Sequence, residues 1–221
     1  MLTKETAHKL YLIFSAALIA FGIILGLTGR GQIHLLPGID VGGQIHFRAL
    51  HTFTYQSNLL LIVGFIIMAI WNNVKIRRYI SVSVILAATF TGLMYNLVLV
   101  PFAGAPMFFT SYVNFSTHVL AMILALANYL IFEEKGLLNR RHILAGMTFP
   151  GIYWAIYVII RDIIDFSPYF FMNPNEVGWL AVFVWFGILL LVFAGMGFLL
   201  TLYDRNLKKY RMRSDNLEKT P

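Results

Sequence analysis

The 221-residue chain has no cysteine, which excludes disulfide staples, thiol nucleophiles and zinc sites built on sulfur. Any chemistry must therefore use Thr, Ser, His, Asp, Glu, Tyr or Arg. Charge is scarce as well: 12% of residues are Asp, Glu, Lys or Arg, against roughly a quarter in soluble proteins. No phosphate loop is present, since neither G-x-x-x-x-G-K-[ST] nor a G-x-G-x-x-G between strand and helix occurs. No histidine cluster has metal-ligand spacing, because His34, His46 and His51 stand 12 and 5 residues apart in a loop. The formal charge of +7 does not point to nucleic acid, because the basic residues flank apolar segments instead of forming a soluble basic face. Composition predicts neither cofactor nor metal, and no nucleic-acid partner.

What remains is hydrophobic: 59% of the residues are apolar, and six stretches reach the roughly 20 residues that a helix needs to cross a bilayer core. They fall at about 9 to 29, 52 to 71, 79 to 100, 114 to 132, 143 to 165 and 178 to 203. The first follows Lys4 and Lys9 as a signal peptide would, but its apolar run is long and no small-x-small cleavage site follows. The expected fold is all-α, a polytopic bundle of six transmembrane helices in one domain over residues 1–203, with a basic tail over 204–221.

Basic residues assign the sides. Lys4 and Lys9, then Lys75, Arg77 and Arg78, then Lys135, Arg140 and Arg141, then six in the tail make fourteen of the seventeen; Arg30, Arg48 and Arg161 fall on the other side. Cytoplasmic loops collect Lys and Arg, so both termini are expected in the cytoplasm. The one long connection, residues 30–51, is then external. Gly22-x-x-x-Gly26 and Gly195-Met196-Gly197 are expected to let helices pack closely.

With that topology, polar residues in four helices share the outer leaflet. Helix 2 enters as His51-Thr52-Phe53-Thr54-Tyr55-Gln56-Ser57-Asn58, helix 3 ends with Thr91 to Asn96, helix 4 enters with Asn114 to His118, and helix 5 exits with Arg161 to Asp165. Polar side chains facing lipid are costly, so a shared cavity is expected. His51, Thr54 and Asn58 lie at i, i+3 and i+7; Asn114 and His118 at i, i+4; Tyr157, Arg161 and Asp165 at i, i+4 and i+8, with Arg161 in reach of Asp162 or Asp165. Such a set suits acyl transfer, which needs a nucleophile, a base and donors for the oxyanion. Thr54 or Ser57 could attack and His118 could move the proton. Gln56, Asn58, Asn96 or Arg161 could donate hydrogen bonds. The structural alternatives are a Thr54 hydroxyl bonded to its own helix, asparagines that tie helices together, a structural His51, and an Arg161 ion pair. Tyr55, Tyr95, Tyr112, Tyr169 and Trp179 are expected to form an outer aromatic belt or an entrance.

FTYQSNLL at 53–60, TGLMYNLVL at 91–99, NFSTH at 114–118 and the segment from Pro150 to Pro174 with YVIIRD and SPYFF together resemble the bacterial branch of the androgen-induced-gene family. That family includes the androgen-dependent regulator of tissue factor pathway inhibitor. The resemblance covers roughly residues 9 to 200, with the motifs in the same order. It implies an intramembrane threonine hydrolase of fatty acid esters of hydroxy fatty acids, in a bacterial cell membrane, with Thr54 as nucleophile and His118 as its essential partner. Gln56, Ser57, Asn58, Tyr95, Asn96, Asn114, Arg161 and Asp162 are then the expected substrate or oxyanion residues. Gln56-Ser57-Asn58 after Thr54 is the bacterial pattern, from which animal members depart. The lipid substrate is expected to enter from the bilayer. Other classes open to the same residues are a lipid-binding protein or sensor, a small transporter and a lipid acyltransferase. Helices 2 and 4 turn apolar beyond the polar cluster, which argues against a transport path.

Overall fold

A computed structural model of the chain describes residues 2–28, 47–71 and 73–217. Arg30, His34, Asp40 and His46 lie outside them. Six helices are long and apolar enough to span a membrane: α1 (Lys4–Leu27), α2 (Phe53–Ile70), α3 (Val74–Ala103), α4 (Tyr112–Phe132), α5 (Arg140–Ile164) and α6 (Pro174–Leu217). Among the described residues there is no strand.

A small polar residue precedes each helix. Thr3, Thr52, Asn73, Ser111, Asn139 and Asn173 each accept a hydrogen bond from a backbone N–H of the first turn that has no partner within the helix. This explains why four helices begin several residues ahead of the apolar runs. Hydropathy registers the apolar part of each helix, whereas the cap sets the start. At the other extreme, α6 continues as one helix to Leu217 past the boundary expected at 203, with its only non-helical backbone at Gly178 (φ +77°).

Antiparallel hairpins place residues 2–3, 71, 73 and 133–139 at one end of the bundle, and residues 47–52, 104–111 and 165–173 at the far end. α3 is the hub: 56% of its span is buried, and it packs against α2, α4, α5 and α6. α1 closes one side against α2 and α4, and α6 is peripheral, with 11% buried. The core between them is built from Leu12, Ile19, Leu61, Phe65, Val82 and Leu86. Added methyl groups at Gly22 and Gly26 would overlap Ser116 and Tyr55, so these glycines do allow close packing of α1. Of the second glycine pair only Gly197 packs, against Ile143; Gly195 faces open space.

Polar groups also cross-link the terminal end. His8 is stacked on Phe132 at 4.4 Å, with Nε2 2.8 Å from Asn128 Oδ1 and Nδ1 2.6 Å from Arg77 Nη2. An arginine can only donate, so Nδ1 accepts and Nε2 carries the proton. Asp204, fully buried, accepts from Tyr129 Oη (2.5 Å), Gly136 N (2.6 Å) and Leu138 N (2.8 Å). The polar residues of the spans therefore gather at both ends.

Candidate functional site

The first turns of α2 carry the densest set of polar contacts in the far half. Ser57 Oγ lies 2.7 Å from Thr91 Oγ1 of α3 and donates to the Thr54 carbonyl at 3.0 Å. Asn58 Nδ2 donates to the same carbonyl (2.7 Å) and across to the Thr117 carbonyl of α4 (3.0 Å). Asn58 thereby fixes α2 beside the residue that precedes His118. Helical spacing alone brings Thr54, Ser57 and Asn58 to one region, because they lie at i, i+3 and i+4.

Two helices lose their regular register here. α3 passes through a π turn at Tyr95–Leu99 and α4 through another at Ser116–Leu120. Such turns are rare and concentrate at functional sites, since an extra residue re-aims the side chains around it. Tyr95 and His118, one from each, stack with ring centroids 3.5 Å apart and planes 8° from parallel. Tyr95 Oη donates to the Pro106 carbonyl at 2.5 Å. His118 is buried, and its Nδ1 has no hydrogen-bond partner among the described residues. An unsatisfied polar atom in such a place calls for an explanation.

A cavity lies between α2, α3, α5, α6 and the segment 165–173. Its walls are almost wholly apolar, from Phe53, Phe90, Met94, Trp154, Phe186 and Phe193. Thr54, Thr91, Tyr95, Tyr153 and Tyr169 are the hydroxyl-bearing residues of the lining, and the hydroxyls of Thr91, Tyr95 and Tyr153 donate to the Ala87, Pro106 and His51 carbonyls. Trp185 of α6 lines it while 38% exposed, so the cavity opens sideways toward the outside of the bundle. Mostly apolar walls with a few convergent polar groups characterise small-molecule sites. His118 is not on this wall; the Tyr95 ring stands between it and the cavity.

Beside Thr54 the cavity wall carries Tyr169, which sequence reading placed in an aromatic belt. Burial pushes the Tyr169 phenol above its ordinary range, with Thr54 and Phe53 partly opposing the rise. Tyr169 therefore stays protonated at neutral pH. No periodicity could have found it, because it lies in the connection after α5 and reaches α2 only through the fold. Tyr55 and Tyr95 are likewise buried, so of the expected belt only Trp179, 40% exposed, fits that description well.

The remaining expected site residues lie apart from the cavity. Gln56 Nε2 donates to the Leu50 carbonyl at 2.7 Å and lines a separate groove with His51 and Tyr157. Asn96 donates to the Gly92 carbonyl (2.8 Å) and Asn114 to Thr110 Oγ1 (3.3 Å), both within their own segments. Arg161 is buried, pairs with Asp162 at 3.0 Å and lies over the Trp179 ring at 5.5 Å. Of its two expected carboxylate partners it takes the nearer in sequence. Asp165 instead caps α5 in the left-handed region (φ +45°). Gln56, Asn96, Asn114, Arg161 and Asp162 are accordingly assigned structural bonds, and none of them lines the cavity.

Comparison of the chain with protein-family models, with curated proteins and with solved structures gives no match.

Proposed function

We propose that this protein is an intramembrane hydrolase of lipid esters, of the androgen-induced-gene kind that its sequence motifs resemble, in a bacterial cell membrane with both termini in the cytoplasm. The observation that carries the reading is the setting of Thr54. Thr54 lines a laterally open, nearly all-apolar cavity, and a buried histidine with a free ring nitrogen lies one aromatic ring away. Fatty acid esters of hydroxy fatty acids suit such a cavity, because their ester lies between long hydrocarbon chains that can enter from the bilayer, with the free carboxylate left at the water interface.

In this reading Thr54 Oγ1 attacks the ester carbonyl carbon while its proton passes to His118, and the carbonyl π electrons move to the oxygen. Collapse of the tetrahedral intermediate breaks the bond to the alkoxy oxygen, which leaves with the proton from the imidazole. Water then repeats the sequence on the acyl-threonine and releases the acid. For His118 to reach Thr54, Tyr95 must turn aside, and its position at the start of a π turn provides the irregular backbone for that movement. Asn58 and Thr91 hold the surrounding helices in place.

Detergent-purified wild type, Thr54→Ala and His118→Ala are to be compared for fatty-acid release from a branched ester and for labelling by a fluorophosphonate. Turnover by wild type only, with labelling lost in Thr54→Ala, is expected. Absence of both across a broad ester panel, from folded protein, refutes the hydrolase. The reading that would then stand is a lipid-binding protein without turnover. It is favoured by the place of His118, off the cavity wall that Thr54 lines, where a resting nucleophile and base would be bonded to each other.

A further inference from the structure

We infer that Arg161 is the recognition site for the free carboxylate of the lipid that enters the cavity, and so selects lipids that keep an acid group. The inference rests on the lipid-ester reading and deepens it. Arg161 is a buried cation in the last turn of α5. A desolvated charge is costly unless it is well paired, and this one is paired incompletely. Its ion pair runs from Nη1 to Asp162 at 3.0 Å, and the Asp162 side chain is 72% exposed, so that carboxylate stays largely in solvent. Nε is buried and has no hydrogen-bond partner among the described residues. Together Nε and Nη2 form the side-on edge of a guanidinium, a fork that matches both oxygens of a carboxylate. Asp162, tethered at the next backbone position, pairs through Nη1 instead. A carboxylate at the end of a flexible chain has no such tether and can take the fork.

The surroundings suit an acid carried on a hydrocarbon chain. A run of aromatic rings joins the cavity wall to Arg161. Trp154, which lines the cavity, meets Phe183 at 4.9 Å; Phe183 meets Trp179 at 6.1 Å; and the guanidinium lies over Trp179 at 5.5 Å. A chain laid along those rings has its ester in the cavity and its acid at Arg161. Trp179 is exposed and directly follows Gly178, the non-helical point of α6, so the ring against the guanidinium stands at a break in the helix and not in a packed core. Seating the ligand exchanges one carboxylate for another. The incoming acid takes the guanidinium, and Asp162, already mostly in water, is released at little cost.

The test compares a branched ester that keeps its free carboxylate with the methyl ester of that carboxylate. Wild type is expected to prefer the acid. The ratio of kcat/KM, acid over methyl ester, is expected to fall about 10- to 100-fold in Arg161→Gln, the size of a lost charge-assisted hydrogen bond, with Arg161→Lys between the two. Asp162→Asn removes the competing carboxylate and is expected to lower KM for the acid about two- to fivefold. A merely structural ion pair would be weakened by either substitution and would give no such gain. An unchanged ratio in Arg161→Gln, beside an active wild type, overturns the inference and leaves the hydrolase standing. Should Arg161→Gln fail to fold, Asp162→Asn decides, and an unchanged or raised KM for the acid overturns the inference. If wild type hydrolyses neither ester, tryptophan fluorescence in nonionic detergent is titrated with palmitate and with methyl palmitate. A change with palmitate alone, lost in Arg161→Gln, keeps the carboxylate site and refutes the hydrolase; an equal response to both, or none to either, overturns the two together.

Discussion

His118 and Gly92 show how closely single residues fix the contact between α3 and α4. A Cβ built on Gly92 would stand 2.5 Å from the His118 backbone oxygen, which belongs to a helix and cannot move aside alone. Gly92→Ala is therefore expected to push the two helices apart and cost about 1–3 kcal/mol, read as a lowered Tm in detergent. Gly151, with nothing within 4 Å of an added Cβ, is the control; Gly151→Ala is expected to hold or raise the Tm, since alanine is the better helix former. The same local view separates what the sequence discloses at this scale from what it hides. Thr54, Ser57 and Asn58 are adjacent through helical spacing, which is legible. The Tyr95–His118 stack and the meeting of Tyr169 with Thr54 on the cavity wall join residues distant in sequence, and nothing in their local patterns announces either pairing.

Among the elements, the six spans and their order are readable because apolar runs of bilayer length have few alternatives, and their starts follow from capping residues. The π turns are not readable, since their extra residue reflects how α3 and α4 meet and not any local preference. Nor is the attachment of the 135–138 turn to α6. There one carboxylate, Asp204, accepts from Tyr129, Gly136 and Leu138. Asp204→Ala leaves two backbone N–H groups and a phenol without that acceptor, and is expected to destabilise by about 3 kcal/mol or more, with Asp204→Asn milder; chemical denaturation in mixed micelles measures both. Just past the end of α4, Glu133 titrates above the ordinary carboxyl range because of burial, while Arg77, Lys135 and Arg78 oppose the rise. The folded chain thus holds this proton more tightly than the unfolded chain does. Its contribution is most favourable below the ordinary carboxyl pKa and is lost as pH rises through the raised value. Glu133→Gln is expected to flatten that dependence, with a Tm above wild type at pH 8 and close to it at pH 4.

For the molecule as a whole, the bundle has two chemically different ends. Lys4, Lys9, Lys75, Arg77, Arg78, Lys135, Arg140 and Arg141 gather with the N-terminus at one end, whereas the segments 104–111 and 165–173 at the other contain no Lys or Arg and 47–52 holds Arg48 alone. The proposed orientation, with the basic loops in the cytoplasm, would put the Thr54 cavity in the outer half, where the proposed ester substrate would meet water while its chains remain in lipid. The absence of cysteine makes the test direct, because any introduced thiol is the only one in the chain. Leu2→Cys and Met107→Cys mark the two ends at positions 71% and 53% exposed. In intact cells a membrane-impermeant maleimide is expected to label Met107→Cys and to reach Leu2→Cys only after permeabilisation. The reverse pattern would invert the bundle and put the cavity in the cytoplasmic leaflet. The same helices, the same Thr54 setting and the same lateral mouth would then serve lipids delivered from inside the cell.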